Sequence, residues 1–267
     1  MSLLRALLGV LLIGACQAAE TRVETSLNRH FRAAGIEGVF VLYEAESDRY
    51  TVSDPVRAKE RFVPASTYKI PNSLIALETG AVKSVDEVLP YAGANVTFKL
   101  PEWERDMNLR EAMKMSNVPI YQNVARRIGQ ARMQQWVTRI AYGNADIGQQ
   151  IDRFWLDGPL KISALEQANF TTRLGRFELP FSTGTVKAVR EIIQIDREPN
   201  YGLFAKTGWS GEVGWWAGWV EQNGRVYGFA LNADISKTED LPKRLAVARA
   251  CLAQLGLLGG TVEKKGK

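Results

Sequence analysis

The sequence predicts an α+β fold: one antiparallel sheet built from strands near both ends of the chain, flanked by helices, with a mainly helical sub-domain inserted between them. Three observations carry this. Residues 38–52 hold two β-rich runs around a polar turn, Glu46-Ser47-Asp48. After Pro199 come three more strand-like runs, Y-G-L-F-A-K-T-G-W, G-W-W-A-G-W-V-E and R-V-Y-G-F-A-L-N-A-D-I. The last two are joined by Gln222-Asn223-Gly224, and Asn-Gly favours the positive φ of a tight hairpin. From about 66 to 198 the apolar period is helical instead, broken by Gly and Pro.

In chain order, the first twenty residues read MSLLRALLGVLLIGACQAAE. Arg5 gives a positive start, residues 7–13 an apolar run too short to span a bilayer, and small residues follow. We expect residues 1–18 to be an export signal cleaved after Ala18, and the protein to be periplasmic. A second reading makes Cys16 the lipidated first residue of a lipoprotein. Residues 19–267 are then one domain, near the ceiling for a single core. A helix is expected over 23–35, with Leu27, Phe31 and Ala34 on its apolar stripe and His30 beside it. The hairpin over 38–52 follows. Helices are expected at 109–115, 120–128, 132–140, 164–174 and 185–195, and an amphipathic helix at 241–257 closes the chain before a polar tail. Trp103 and Trp136 read as core, and Trp215, Trp216 and Trp219 as strand-face packing. Asn95-Val96-Thr97 and Asn169-Phe170-Thr171 match the glycosylation pattern, which is common by chance.

Composition removes several classes of function. The chain is 46% hydrophobic and 24% charged, as globular domains are. Its net charge of +5 comes with acidic residues mixed throughout and no basic stripe, so no nucleic-acid partner is expected. No later segment is apolar enough for an integral membrane span. One histidine rules out a multi-histidine metal site, and two cysteines rule out a cysteine-rich zinc site; a Ser-His-Asp mechanism would rest wholly on His30. With the signal removed, Cys251 is alone, and the core must hold the fold without a disulfide.

The chemistry gathers around P-A-S-T-Y-K-I-P-N, residues 64–72. Ser66-x-x-Lys69 alone reads as a helix cap followed by a solvated charge. Its setting differs: Val63, Ala65, Tyr68 and Ile70 surround the pair with apolar atoms. Residues three apart on a helix share a face, so hydroxyl and amine can meet. A buried lysine loses its proton more readily, and a neutral amine beside a serine activates it as a nucleophile. Pro71 counts against a helix here, since it removes a hydrogen bond. Two further motifs follow in order. Ser116-Asn117-Val118 comes after a predicted helix. Lys206-Thr207-Gly208 lies in a strand, offering a cation, a hydroxyl and a site of close backbone approach.

The three motifs in this order match the penicillin-recognising serine enzymes, and the chain resembles their class D, OXA-type β-lactamases over nearly all of residues 19–267. S-T-Y-K-I-P-N, Ser116-x-Val118, Tyr142-Gly143-Asn144, Phe154-Trp155-Leu156-x-Gly158 with Ile162-Ser163, and Leu241-Pro242-x-Arg244 carry the resemblance. It implies the penicillin-recognising fold and hydrolysis of a small-molecule β-lactam through a Ser66 acyl-enzyme, conferring resistance. It implies that carbon dioxide carboxylates Lys69 to the general base, with no other cofactor and no metal. Val118, Trp155 and Leu156 would form the carbamate pocket, and Ser116 would pass a proton to the leaving nitrogen. Lys206, Thr207, Gly208, Trp209 and Arg244 would bind substrate, with the Trp209 and Ser66 N–H groups as oxyanion donors. Glu166, despite its likeness to a class A base, reads as structural. Two departures stand out, whose effects the sequence leaves open: a short segment, 210–214, between Trp209 and Trp215, and a polar Asn117 beside the dry pocket around Lys69. The runner-up is a β-lactam sensor that acylates without turnover, and a monomer or a homodimer fits equally.

Overall fold

The computed structural model describes residues 19–93 and 100–258. The expected signal, its Cys16, the Asn95-Val96-Thr97 match and the last residues of the tail lie outside them.

The chain opens with β1 (Glu20–Val23), α1 (Asn28–Ala34), β2 (Gly38–Glu44) and β3 (Arg49–Val52). The helix expected over 23–35 is therefore shorter. Its first residues pair as a strand and a 3-10 turn, and left-handed Gly35 (φ 64°) ends it. A two-residue strand β4 (Arg61–Phe62) and a 3-10 turn (Ala65–Tyr68) lead into α2 (Lys69–Glu78). The middle continues with α3 (Leu109–Lys114), α4 (Val118–Ile128), α5 (Gln130–Arg139), β5 (Ile162–Ser163), α6 (Ala164–Gly175) and α7 (Thr183–Ile192). The end is β6 (Gln194–Arg197), β7 (Gly202–Trp209), β8 (Val213–Gln222), β9 (Arg225–Asp234) and α8 (Leu241–Gln254).

Seven strands form one sheet in the order β1-β3-β2-β9-β8-β7-β6, and β4 pairs with β5 separately. The two ends of the chain meet at β2 and β9, which run antiparallel with Gly38 opposite Ala233. Only the β1–β3 pair is parallel among the described strands of this sheet. Between β8 and β9, Asn223 (φ 52°) and Gly224 (φ 73°) are both left-handed, the type I′ geometry expected of Asn-Gly.

Each sheet face buries its own core. One carries Leu27, Phe31, Phe40, Leu231, Val247 and Cys251, beneath α1 and α8. The other carries Val39, Val41, Ala217, Trp215 and Trp219, and merges with the interior of the helical middle. Helix α6 packs across β2, β8 and β9 on this side. Helix α2 is buried almost all round, from Lys69 to Ala76, as a helix through the centre of a domain must be. Pro71 costs it little: it is the third helical residue, and the first four N–H groups of a helix lack intrahelical partners anyway. Trp103 is buried, and Trp136 stacks on Phe181 at 4.7 Å, partly buried against the same core.

Candidate active site

Ser66 is the second residue of the 3-10 turn, rather than an α-helical cap. In 3-10 geometry residues i and i+3 eclipse one another. That places the Lys69 Nζ 2.7 Å from Ser66 Oγ. Ala65, just before the serine, takes a left-handed φ of 48°, and its N–H donates to the Trp155 carbonyl at 2.9 Å. A strained non-glycine residue at such a point persists only where its surroundings enforce it.

Lys69 is wholly buried. Burial first, and the positive charge of Lys206 second, hold its amine well below the ordinary lysine range. Its Nζ stands 5.3 Å from the centre of the Tyr121 ring on α4. Val118, also buried, is three residues earlier on that helix and so shares its face. Trp155 stacks on Tyr68 at 5.6 Å, and its indole Nε1 is buried without a hydrogen-bond partner. Leu156 is half-buried in the same turn and packs on the larger core.

Across from this pair runs β7. The Lys206 Nζ donates to Ser116 Oγ at 3.0 Å, to the Thr207 carbonyl at 3.1 Å and to Thr207 Oγ1 at 3.2 Å. Burial, then the Arg244 charge, lowers it to about 7. Ser116 sits between α3 and α4 with a left-handed φ of 54°, which turns the chain sharply there. Gly208 lies hard against the serine turn: a Cβ on it would stand 2.8 Å from the Pro64 carbonyl oxygen and 3.2 Å from the Thr67 nitrogen. Only glycine lets the strand come this close. Arg244, in the first turn of α8, donates from Nη1 to the Gly208 carbonyl at 2.7 Å, and its Nε is buried without a partner. Burial lowers its guanidinium to about 10. Trp209 is half-buried and its indole donates to the Ile235 carbonyl at 2.8 Å.

The structure thus brings Ser66 to Lys69, Ser116 and Thr207 to Lys206, and Gly208 to both Arg244 and the serine turn. Asn117 serves the start of α4. Its side chain accepts from Ile120 N at 2.9 Å as the N-cap of α4 and donates to the Trp103 carbonyl at 3.1 Å, so its polarity is spent on the backbone. Glu166 belongs to the helix start of α6: it accepts from Ser163 N at 2.8 Å in a capping box and pairs with Arg61. His30 meets Gln254 at 2.7 Å between α1 and α8, on the sheet face away from Ser66. Sequence reasoning missed Tyr121 beneath Lys69, Gln167 bonded to Thr67, and the left-handed Ala65. Tyr121 was within reach, three residues past Val118 on a buried stripe; Gln167 and Ala65 carry no local signal.

Residues 38–253 match the family model of the penicillin binding protein transpeptidase domain. The chain is 41% identical over 240 residues to β-lactamase OXA-5 of Pseudomonas aeruginosa, covering 87% of this chain and 89% of that one. It is 40% identical over 241 residues to β-lactamase OXA-48 of Klebsiella pneumoniae, covering 89% and 90%. Among solved structures it is similar to the class D β-lactamase YbXI from Nostoc, with a TM-score of 0.82 and 42% identity over 87% of this chain and 99% of that one. It is similar also to FUS-1 (OXA-85), a class D β-lactamase from Fusobacterium nucleatum subsp. polymorphum, with a TM-score of 0.84 and 39% identity over 89% and 100%.

Proposed function

The chain belongs to the class D β-lactamases, and from that premise we propose that it opens the β-lactam ring of penicillin-type antibiotics through an acyl-enzyme on Ser66, with carboxylated Lys69 as general base. It is a hydrolase of an antibiotic-resistance family. The observation that carries the residue assignment is the 2.7 Å contact between Ser66 and a wholly buried Lys69 whose amine is driven towards its neutral form.

The residues fit a carbamate on Lys69. Only a neutral amine attacks carbon dioxide, and burial favours that form. The buried Trp155 Nε1–H has no partner, and an added carboxylate oxygen would accept from it. The Tyr121 ring lies beside the amine and, with buried Val118 one turn earlier on α4, would keep water from it. Carboxylated, Lys69 supplies a base for the Ser66 proton and for the water that hydrolyses the ester.

Ser66 Oγ attacks the lactam carbonyl carbon, and the ring C–N bond breaks when the nitrogen is protonated. Ser116 delivers that proton and regains one from Lys206, whose Nζ donates to its Oγ; the proton that the Lys69 base took from Ser66 keeps the total unchanged. The backbone N–H groups of Ser66 and Trp209 bind the oxyanion; the close packing of Gly208, next to Trp209, on the serine turn supports this pairing. Lys206, Thr207 and Arg244 bind the substrate carboxylate. Arg244 is already anchored on the Gly208 carbonyl, so little of its freedom is left to lose on binding.

The export-type N-terminus supports a periplasmic location, where such substrates arrive. No helix among the described residues is long and apolar enough to cross a membrane. Mass spectrometry with a penicillin tests the nucleophile. The wild type should gain a transient ester adduct and turn over, and Ser66→Ala should do neither. A stable stoichiometric adduct on the wild type would establish the sensor reading, and an adduct on Ser66→Ala would refute the assignment.

A further inference from the structure

Tyr142-Gly143-Asn144 takes no part in the chemistry above, yet it lies where two parts of the site meet. Asn144 closes on the segment that follows Trp155. Its Nδ2 donates to the Pro159 carbonyl at 2.8 Å, its Oδ1 accepts from Lys161 N at 3.0 Å, and its own N–H donates to the Lys161 carbonyl at 2.9 Å. Gly143, with φ 56°, lies flat on the same segment: a Cβ there would stand 2.1 Å from the Lys161 oxygen, so no other residue fits.

Tyr142 turns the other way, into the core. Its hydroxyl donates to Gln167 Oε1 at 3.4 Å, Gln167 Nε2 donates to Thr67 Oγ1 at 2.7 Å, and the Thr67 hydroxyl donates to the Pro64 carbonyl at 2.7 Å. The single Thr67 hydrogen is committed to a carbonyl, so its oxygen is free only to accept, which fixes the direction of the chain. All three side chains are buried. The Tyr142 ring also meets Tyr68 edge-on at 5.5 Å, and Tyr68 stacks on Trp155.

The Trp155 segment has other ties: the Ala65 N–H to its carbonyl, and Gln122 Nε2 to the Asp152 carbonyl at 2.9 Å. Asn144 holds the opposite flank. We propose, resting on the carbamate reading of Lys69, that Tyr142-Gly143-Asn144 is a positioning turn, which keeps the Trp155 segment and the Ser66 turn in the register that a carbamate on Lys69 needs. Asn144 itself touches none of the substrate anchors: Lys206 and Thr207 lie on β7 and Arg244 on α8, while its bonds go to Pro159 and Lys161. Loosening the turn therefore raises the bicarbonate requirement and leaves KM alone.

Asn144 is exposed, so Asn144→Ala spares the core. Carbamate occupancy is read directly by carbon NMR with labelled bicarbonate, beside steady-state kinetics. Losing the side-chain bonds to Pro159 and Lys161 should raise the half-saturating bicarbonate concentration about three- to tenfold. KM should stay as in the wild type, and saturating bicarbonate should restore kcat. Asn144→Asp keeps the acceptor for Lys161 N and should fall between the two. A wild-type occupancy curve in Asn144→Ala, or a kcat loss that bicarbonate does not restore, would overturn the proposal. Trp155→Ala separates the two levels. If its occupancy curve shifts while that of Asn144→Ala does not, the positioning turn alone fails; if neither shifts, or the wild type shows no carbamate signal, the carbamate reading fails and the proposal with it.

Discussion

Lys69 and Lys206 are both buried, and the neighbouring charges that act on them are positive: Lys206 on Lys69, Arg244 on Lys206. Each is pushed towards neutrality, with opposite consequences. In the proposed mechanism Lys69 must be neutral to take up carbon dioxide, so protonating it at low pH should remove activity. In the same proposal Lys206 must be charged to attract a substrate carboxylate, so releasing its proton at high pH should weaken capture. With Lys206 lowered to about 7, kcat/KM for an anionic penicillin should fall as pH rises through that value. Arg244, lowered only to about 10, keeps its charge through this range and leaves the fall incomplete. Steady-state rates from pH 5 to 9 check this; a profile flat across 7 would mean that Lys206 stays charged. The motif residues were legible because their spacing survives any fold. Tyr121 beneath Lys69 and left-handed Ala65 were not, since contact across helices and backbone strain are set by packing.

At the level of elements, the long helices and paired central strands follow the apolar period, and the short edge strands do not. Strand β6 shows why. Gln194–Arg197 is mostly exposed and comes just after α7, so the helical reading runs on to 195, whereas the chain is already paired with β7 from Gln194. Strand β1 is exposed at every residue and has no buried face to give a period of two. The two-residue pair β4–β5 is too short to leave a pattern. Helix α6, by contrast, announces its start with Ser163 and Glu166, a capping box. Replacing that Glu166 separates structure from catalysis. Glu166→Ala should cost about 1 kcal/mol, a fall in Tm of about 2–4 °C, from the lost cap, the exposed Arg61 pair adding little. Turnover of a penicillin should stay within about twofold of wild type, equivalent to less than 1 kcal/mol of barrier. A loss of a hundredfold or so, the smaller end of what a positioned base supplies, would make Glu166 part of the mechanism.

At the scale of the molecule, strands from both ends of the chain make one sheet, and the site forms where its β7 meets the helical middle. Two cores on opposite faces of that sheet hold the assembly together. Cys251 lies in the core beneath α8, fully buried, and burial pushes its thiol up to about 12. In a chain beginning at residue 19 it is the single thiol. A thiol reagent should therefore label the native protein only at the rate of unfolding and label it at once in denaturant; rapid native labelling would show that α8 lifts from the sheet on its own. The sheet, its hairpin and the sequence positions of the site were legible because each has a local signature. How five separated stretches close into one pocket was not, because that depends on contacts such as Gly208 against Pro64 that no local pattern encodes. The central claim is that Lys69 works as a carbamate held by Trp155, and penicillin turnover with and without bicarbonate, in wild type and Trp155→Ala, tests it most directly. Wild-type activity should fall reversibly when bicarbonate is removed, and Trp155→Ala should depend strongly on added bicarbonate; a Trp155→Ala enzyme as active as wild type without it would contradict the account.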